Sequence, residues 1–161
     1  MIDLKKNMNS QILVKFSTFI KNRLLELFGI VLILISIFFL ISIASYSPED
    51  PNFIYTPENN QIQNLGGFYG SVFSDFLLQS IGLISFFVVL SLFYWGLELS
   101  TKKEVKKFIQ KIFFTLVYIV TGTTSINVLY NDSFWLIDSG NSGFVGSIIK
   151  ENIYTFFNII E

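Results

Sequence analysis

The stretch LFGIVLILISIFFLISIAS, residues 27–45, decides the fold class because it holds no charged side chain along its whole length. A helix rises 1.5 Å per residue, so this stretch covers about 28 Å, close to the roughly 30 Å hydrocarbon core of a bilayer. Residues 76–97 and 112–130 are also uncharged, and three such stretches leave too few polar residues to cover them in water. We therefore predict an all-α, polytopic helical membrane protein with additional interfacial amphipathic helices. The predicted transmembrane helices are about 25–45, 77–98 and 110–130.

The composition supports a membrane protein and excludes several kinds of chemistry. Apolar residues make up 52% of the chain and charged residues only 14%, whereas soluble domains carry about 25% charged residues. The chain has no cysteine and no histidine, which excludes disulfides, thiolate nucleophiles and Cys/His zinc sites. We predict no catalytic residue, no cofactor and no metal site. The net charge of −1 argues against direct contact with nucleic acid.

The basic residues are distributed unevenly along the chain. Ten of the eleven either precede the first span or lie between the second and third spans, and only Lys150 lies elsewhere. By the positive-inside rule, the N-terminus and the lysine-rich loop face the cytoplasm. The outer segments are then 46–76 and 131–161. The ten residues are Lys5, Lys6, Lys15, Lys21, Arg23, Lys102, Lys103, Lys106, Lys107 and Lys111.

The first 23 residues form a basic arm ahead of the membrane domain, which we assign to residues 24–161. Apolar residues recur in the arm at helical spacing, at Ile12, Leu13, Phe16, Phe19 and Ile20. This pattern has two interpretations that remain open at the level of sequence. The arm is either a basic amphipathic helix on an anionic membrane surface or a disordered tail that leads into the first span.

The first outer segment contains SYSPEDPNFIYTPENNQIQNLGG, which holds all three prolines of the chain. Proline fixes φ and lacks a backbone donor, so a helix does not continue through this segment. The adjacent carboxylates Glu49 and Asp50 could bind a cation or act as an acid and base. Adjacent carboxylates in an exposed loop are more often solvated, and solvation is the interpretation that we adopt for this pair.

An internal repeat links the two outer segments. GFYGSVFSDFLLQSIG starts at Gly67 and GFVGSIIKENIYTFFNII starts at Gly143, with an offset of 76 residues. Each copy places a carboxylate eight residues after its first glycine. The second copy predicts an amphipathic helix whose polar face holds Ser147, Lys150, Glu151, Tyr154, Asn158 and Glu161. Each repeat unit would consist of a span, an outer loop, this helix and a second span, so we expect a fourth span to follow Glu161.

The glycines of NLGGFYGSVFSD, residues 64–75, favour turning and packing over phosphate binding. This stretch contains no lysine or arginine, and the chain has no G-x-x-x-x-G-K-[ST] motif. We expect Gly66 and Gly67 to adopt φ > 0 in a sharp turn, and Gly70 to allow close approach of a neighbouring helix.

The third span contains several hydroxyl side chains and one amide. These residues either line a pore or, as is more usual, bond backbone carbonyls or a neighbouring helix. No charged residue lies in mid-membrane, so a transporter is poorly supported. The residues are Thr115, Thr121, Thr123, Thr124, Ser125 and Asn127.

Over about residues 24–161, the chain resembles the N-terminal four-span membrane domain of the FtsK/SpoIIIE family of bacterial DNA translocases. Two departures are Phe53, near a position where relatives often have tryptophan, and lysines in the cytoplasmic loop where arginines are frequent. The residues that carry the resemblance are Tyr46, Pro48, Asp50, Pro51, Asn64, Gly66, Gly67, Gly70, Asp75, Gly143 and Gly146.

The resemblance implies a membrane anchor rather than an enzyme. Members of this family hold a hexameric cytoplasmic ATPase at the division septum, and the motor is absent from these 161 residues. It implies a multi-pass protein of the bacterial inner membrane that serves cell division and chromosome segregation. The implied partners are the lipid bilayer, further copies of the chain and other division proteins, with no direct nucleic-acid contact. The alternative is a small free-standing polytopic membrane protein, such as a helper subunit or a holin-like protein.

Overall fold

The computed structural model describes residues 2–56, 61–103, 105, 108–130 and 140–160. These residues form α-helices and connecting segments without any β-strand, which confirms the all-α prediction. The helices in the described part of the chain are α1 (Ile2–Ala44), α2 (Gly67–Ile81), α3 (Ile84–Lys102), α4 (Phe108–Leu129) and α5 (Gly143–Ile160).

Three of the described helices are long and apolar enough to cross a membrane, as the sequence predicts. The second of these spans begins later than predicted, because the segment 77–98 is divided between α2 and α3. Gly82 has φ of +58° and its N–H bonds the carbonyl of Leu78 at 2.8 Å, which ends α2. The spanning segments are Leu13–Ala44, Ile84–Lys102 and Phe108–Leu129.

Helix α1 extends well beyond the first predicted span. Its 43 residues correspond to about 64 Å, roughly twice the hydrocarbon thickness of a bilayer. The helix continues without interruption through the basic arm, so the described part of the arm, residues 2–23, is helical rather than a disordered tail.

Helices α1 and α3 pack along each other in opposite directions. Their backbones are in contact at Gly29 and Gly96, where a Cβ atom on Gly29 would lie 2.5 Å from the backbone nitrogen of Ser100 and 2.7 Å from the carbonyl oxygen of Gly96. Such direct backbone contact is typical of small residues at helix interfaces in membranes. At the other end of the pair, Ile43 and Val89 belong to one buried apolar cluster.

Helices α2 and α5 pack at the end of the bundle where α1 terminates, whereas α4 also contacts α3 at the opposite end. Helix α2 contacts α1 and α5, and α5 in turn packs on α4. This end, with the starts of α2 and α5, is the motif end of the bundle. The opposite end, where α3 terminates and α4 begins, is the lysine end.

Candidate functional site: a buried polar network at the motif end

Asp50 is the residue that holds the first outer segment together. Its side chain is buried, with 3% of the residue exposed, and its two oxygens accept the backbone N–H groups of Gln63 at 2.7 Å and Asn64 at 2.8 Å. Asp50 thus joins two parts of the segment that are more than a dozen residues apart. The interpretation of Asp50 as a solvated carboxylate is therefore wrong, whereas the neighbouring Glu49 is exposed.

Asn64 connects the segment to two helices. Its amide nitrogen donates to the carbonyl of Ser42 in α1 at 2.8 Å and to the hydroxyl of Ser74 in α2 at 3.2 Å. Its amide oxygen accepts the N–H of Gly66 at 2.9 Å. Because Asn64 is only 4% exposed, these bonds lie away from water and replace hydration that the amide has lost.

The three glycines beside Asn64 serve two different purposes. Gly67 has φ of +65°, as its predicted turn requires, and it is the first residue of α2. Gly66 has φ of −82°, so the prediction of a positive φ is wrong there; a Cβ atom on it would lie only 2.6 Å from Ser42 Oγ. Gly70 is also packed, with no room for a Cβ atom beside Asn64 and Ser42.

A second group of bonds fixes the proline-rich part of the segment on α2. Asp75 accepts hydrogen bonds from the hydroxyl of Tyr46 at 3.2 Å and from the amide of Asn52 at 3.1 Å. Ser71 Oγ donates to the carbonyl of Pro51 at 2.5 Å. The segment therefore follows α2 for more than one turn.

Pro48 lies apart from these bonds. It is exposed and lines the edge of a cavity of about 470 Å³ that Tyr46 and Asp75 also line. No hydrogen bond can come from its backbone nitrogen, so its contribution at this place is the fixed φ of its ring.

The second repeat copy builds the same turn at the start of α5. The N–H of Gly143 bonds the carbonyl of Gly140 at 3.1 Å, as the N–H of Gly67 bonds that of Asn64 at 2.9 Å. Gly143 also has a positive φ, +67°. Gly146 packs against the preceding span, since a Cβ atom there would lie 2.9 Å from the carbonyl oxygen of Thr123. The repeat seen in the sequence is thus a repeat in structure.

The two copies contact each other through their glycines. The N–H of Leu83 donates to the carbonyl of Asn141 at 2.9 Å, and a Cβ atom on Gly143 would lie 2.5 Å from the backbone nitrogen of Gly82. The break between α2 and α3 therefore provides the surface on which the second copy packs. Sequence reasoning missed this contact, together with Ser42, Ser71, Ser74 and Asn52 of the first network. Serine in an otherwise apolar span was the only available signal for Ser42.

The threonine and serine hydroxyls of α4 bond the carbonyls of their own helix, as the interpretation based on backbone bonding predicts. Asn127 instead donates to the hydroxyl of Ser142 at 2.7 Å, linking α4 to the start of α5. The hydroxyl residues with bonds to their own helix are Thr115, Thr121, Thr123, Thr124 and Ser125.

The chemistry of the network is structural. In the described ranges, no three side chains of His, Cys, Asp or Glu are grouped so that they could hold a metal ion. The carboxylates of Asp50 and Asp75 accept hydrogen bonds from donors of the same chain, and the amides of Asn52 and Asn64 also bond groups of the same chain. What the arrangement can do is present a fixed surface at one end of a bundle of membrane-crossing helices. This fold and site define a polytopic helical membrane domain with a hydrogen-bonded loop fixed at one end.

Comparison with known proteins places this membrane domain in a family. The family model described as the 4TM region of DNA translocase FtsK/SpoIIIE matches residues 21–160, and the chain belongs to this family. The match lies in a transmembrane region, in agreement with the prediction that this stretch is not an enzyme. No solved structure matches the chain.

Curated relatives carry the name DNA translocase FtsK. The chain is 29% identical to the protein from Rickettsia prowazekii over 130 residues, which cover 81% of this chain and 17% of the relative. It is 32% identical to the protein from Rickettsia bellii over 116 residues, which cover 72% of this chain and 15% of the relative. The matched region is therefore about a sixth of the length of these relatives.

Proposed function

We propose that this chain anchors a DNA translocase in the bacterial inner membrane and targets it to the division septum, in the service of chromosome segregation and cell division. The membership in the FtsK/SpoIIIE membrane family supports the anchor role and favours it over a free-standing helper or holin-like protein. The relatives named DNA translocase FtsK are several times longer than the matched region, which leaves room in them for a motor that these residues do not provide.

In this proposal the lysine end faces the cytoplasm and the motif end faces outward. The support is the excess of lysine at the end where α3 terminates and α4 begins, together with the basic arm of α1. Each of the three candidate spans crosses once, so that α2 and α5 both start on the outer side. Both helices then lie at the outer membrane surface, where their amphipathic faces separate lipid from water.

The outer surface of the motif end is where we place contacts with other division proteins and with further copies of the chain. The single observation that carries this role is the buried network of Asp50 and Asn64, which fixes a segment that would otherwise be mobile. Large apolar side chains project from the fixed segment: Ile54 is 98% exposed, Phe53 83% and Leu65 78%. Exposed apolar groups on a rigid support are typical of interaction sites.

A localisation experiment tests the proposal. A fluorescent protein is fused to the N-terminus, which faces the cytoplasm in this orientation, and the fusion is imaged in dividing bacteria. Enrichment at the division site is expected, and an even distribution around the membrane would overturn septal targeting. An Asn64→Leu variant should stay in the membrane but lose the enrichment, whereas Glu49→Ala, in the same segment but exposed, should keep it.

A further inference from the structure

A cavity of about 340 Å³ opens at the lysine end between α1, α3 and α4. This volume lies within the range of small-molecule sites. Trp95 and Phe108 meet edge to face in its wall, with ring centroids 6.0 Å apart. Among the described residues the wall is apolar apart from one lysine: it consists of Leu25, Phe28, Leu32, Trp95, Leu99, Val105, Phe108 and Lys111.

The ion pairs of the described side chains at the lysine end hold more cations than carboxylates, and one of these cations, Lys111, lines the cavity. Glu98 pairs with Lys111 and also with Lys102, at 3.2 Å. Glu26 is likewise shared by two cations, at 2.8 Å from Arg23 and 3.4 Å from Lys103. Four cations thus surround two carboxylates in this cluster of described side chains. Since a lysine ammonium has three donors and Lys111 uses one of them on Glu98, it can bind a further acceptor.

The position of the cavity along the helices favours a lipid as its occupant. The cations lie at one end of the candidate spans, at the level of headgroups, and the apolar wall continues from them into the hydrocarbon region. Phe28 is 62% exposed and Phe108 48%, so the cavity opens sideways between helices rather than into a closed core. Tryptophan is enriched at this depth of a membrane, where its indole ring has apolar and polar neighbours.

We infer that this cavity binds an anionic phospholipid from the leaflet at the lysine end. One acyl chain lies along Trp95 and Leu99, and the phosphate contacts Lys111. Basic cavities between transmembrane helices recognise anionic headgroups in this way. A zwitterionic lipid fits the apolar wall equally well but leaves the surplus positive charge unbalanced, so selectivity for net negative charge is the signature of the site. The inference depends on membrane insertion and is independent of septal targeting.

Quenching of Trp95 by brominated lipids tests this inference directly. The chain has two tryptophans, Trp95 and Trp135, so Trp135→Phe leaves the indole in the cavity wall as the sole fluorophore. The protein is reconstituted in phosphatidylcholine vesicles with increasing fractions of phosphatidylglycerol or phosphatidylcholine, each brominated at the same place on its chains. We expect half-maximal quenching at a fraction of brominated phosphatidylglycerol that is about fivefold lower than the corresponding fraction of brominated phosphatidylcholine. The reason is that one lysine near an anionic surface contributes about 1 kcal/mol, which corresponds to this factor.

Two variants separate the headgroup from the acyl chain. Lys111→Gln should abolish most of this preference for phosphatidylglycerol over phosphatidylcholine. Lys150→Gln in α5, at the motif end, should leave the preference unchanged. Leu99→Phe keeps every charge but fills part of the cavity, so quenching by both brominated lipids should fall.

Three results would overturn the site. Equal quenching by the two lipids in the parent protein rejects selectivity for anionic lipid. An unchanged preference in Lys111→Gln rejects the phosphate contact, and unchanged quenching in Leu99→Phe rejects the acyl-chain contact. Quenching that is weak with both lipids and falls as the protein density in the vesicles rises assigns the cavity to a second copy of the chain instead.

Discussion

Replacing Asp50 by alanine tests whether one buried carboxylate holds the outer segment on the bundle. The substitution removes the acceptor of two backbone N–H groups, those of Gln63 and Asn64. A hydrogen bond to a charged group contributes about 1.5–3 kcal/mol, so the two together contribute at least about 3 kcal/mol to keeping the segment closed. Opening of the segment should therefore become easier by about two orders of magnitude.

Amide hydrogen exchange measures this opening locally. Exchange of peptides that cover residues 61–66, followed by mass spectrometry of the detergent-solubilised protein, should be about 100-fold faster in Asp50→Ala than in the parent chain. Glu49→Ala is the matched control, because it removes the neighbouring carboxylate, which is exposed. Its effect should stay within about 0.5 kcal/mol, or roughly threefold in exchange rate. Similar exchange rates in the two variants would refute the structural role of Asp50.

Three other substitutions test separate contacts through the free energy of unfolding in detergent micelles titrated with SDS. Gly29→Ala places a methyl group 2.5 Å from the Ser100 backbone nitrogen and should destabilise the protein by about 1–3 kcal/mol through overpacking of α1 on α3. Gly67→Ala has space for its methyl group but must adopt φ near +65°, which should cost about 1–2 kcal/mol. Ser71→Ala loses the buried hydrogen bond to the Pro51 carbonyl and should cost about 1 kcal/mol.

Gly29→Ala and Ser71→Ala each have a control that alters a similar residue without the contact, and Gly67→Ala is compared with a second substitution at the same position. Ile30→Val changes an exposed residue beside Gly29, and Ser125→Ala removes a hydroxyl that bonds only its own helix among the described residues. Gly67→Asn should recover part of the loss in Gly67→Ala, because asparagine tolerates positive φ better than alanine. Equal stability of a variant and its control would contradict the corresponding contact.

The helices and the repeat could be predicted from the sequence because both depend on local patterns. An uncharged stretch long enough to cross a bilayer identifies a span without knowledge of its neighbours. The two G-F-x-G-S motifs correctly mark turns, since Gly67 and Gly143 each have a positive φ at the first residue of a helix. The choice of backbone bonding over a pore for the hydroxyls of α4 also follows from local geometry, because each can reach the carbonyl one turn earlier.

The errors arise where a residue is controlled by a distant partner. In the sequence Asp50 looks like a solvated loop carboxylate, because the two backbone N–H groups that it binds, those of Gln63 and Asn64, lie at the far end of the segment. The break at Gly82 is invisible to hydropathy because the residue packed against it, Asn141, lies far along the chain, just ahead of the second repeat copy. The sequence predicts a positive φ for Gly66, whereas the close approach of Ser42 shows that a glycine is needed there for space. None of these partner residues could be identified from sequence spacing.

The orientation of the bundle is the central claim, because both the anchor and the outward network depend on it. The chain has no cysteine, so single cysteines can be introduced at Ile54, which is 98% exposed at the motif end, and at Thr101, which is exposed at the lysine end. A membrane-impermeant maleimide is added to spheroplasts, in which the outer face of the inner membrane is accessible, and then to lysed membranes. We expect Ile54→Cys to react in both preparations and Thr101→Cys to react only after lysis. Reaction of both cysteines in intact spheroplasts, or of Thr101→Cys alone, would contradict this orientation.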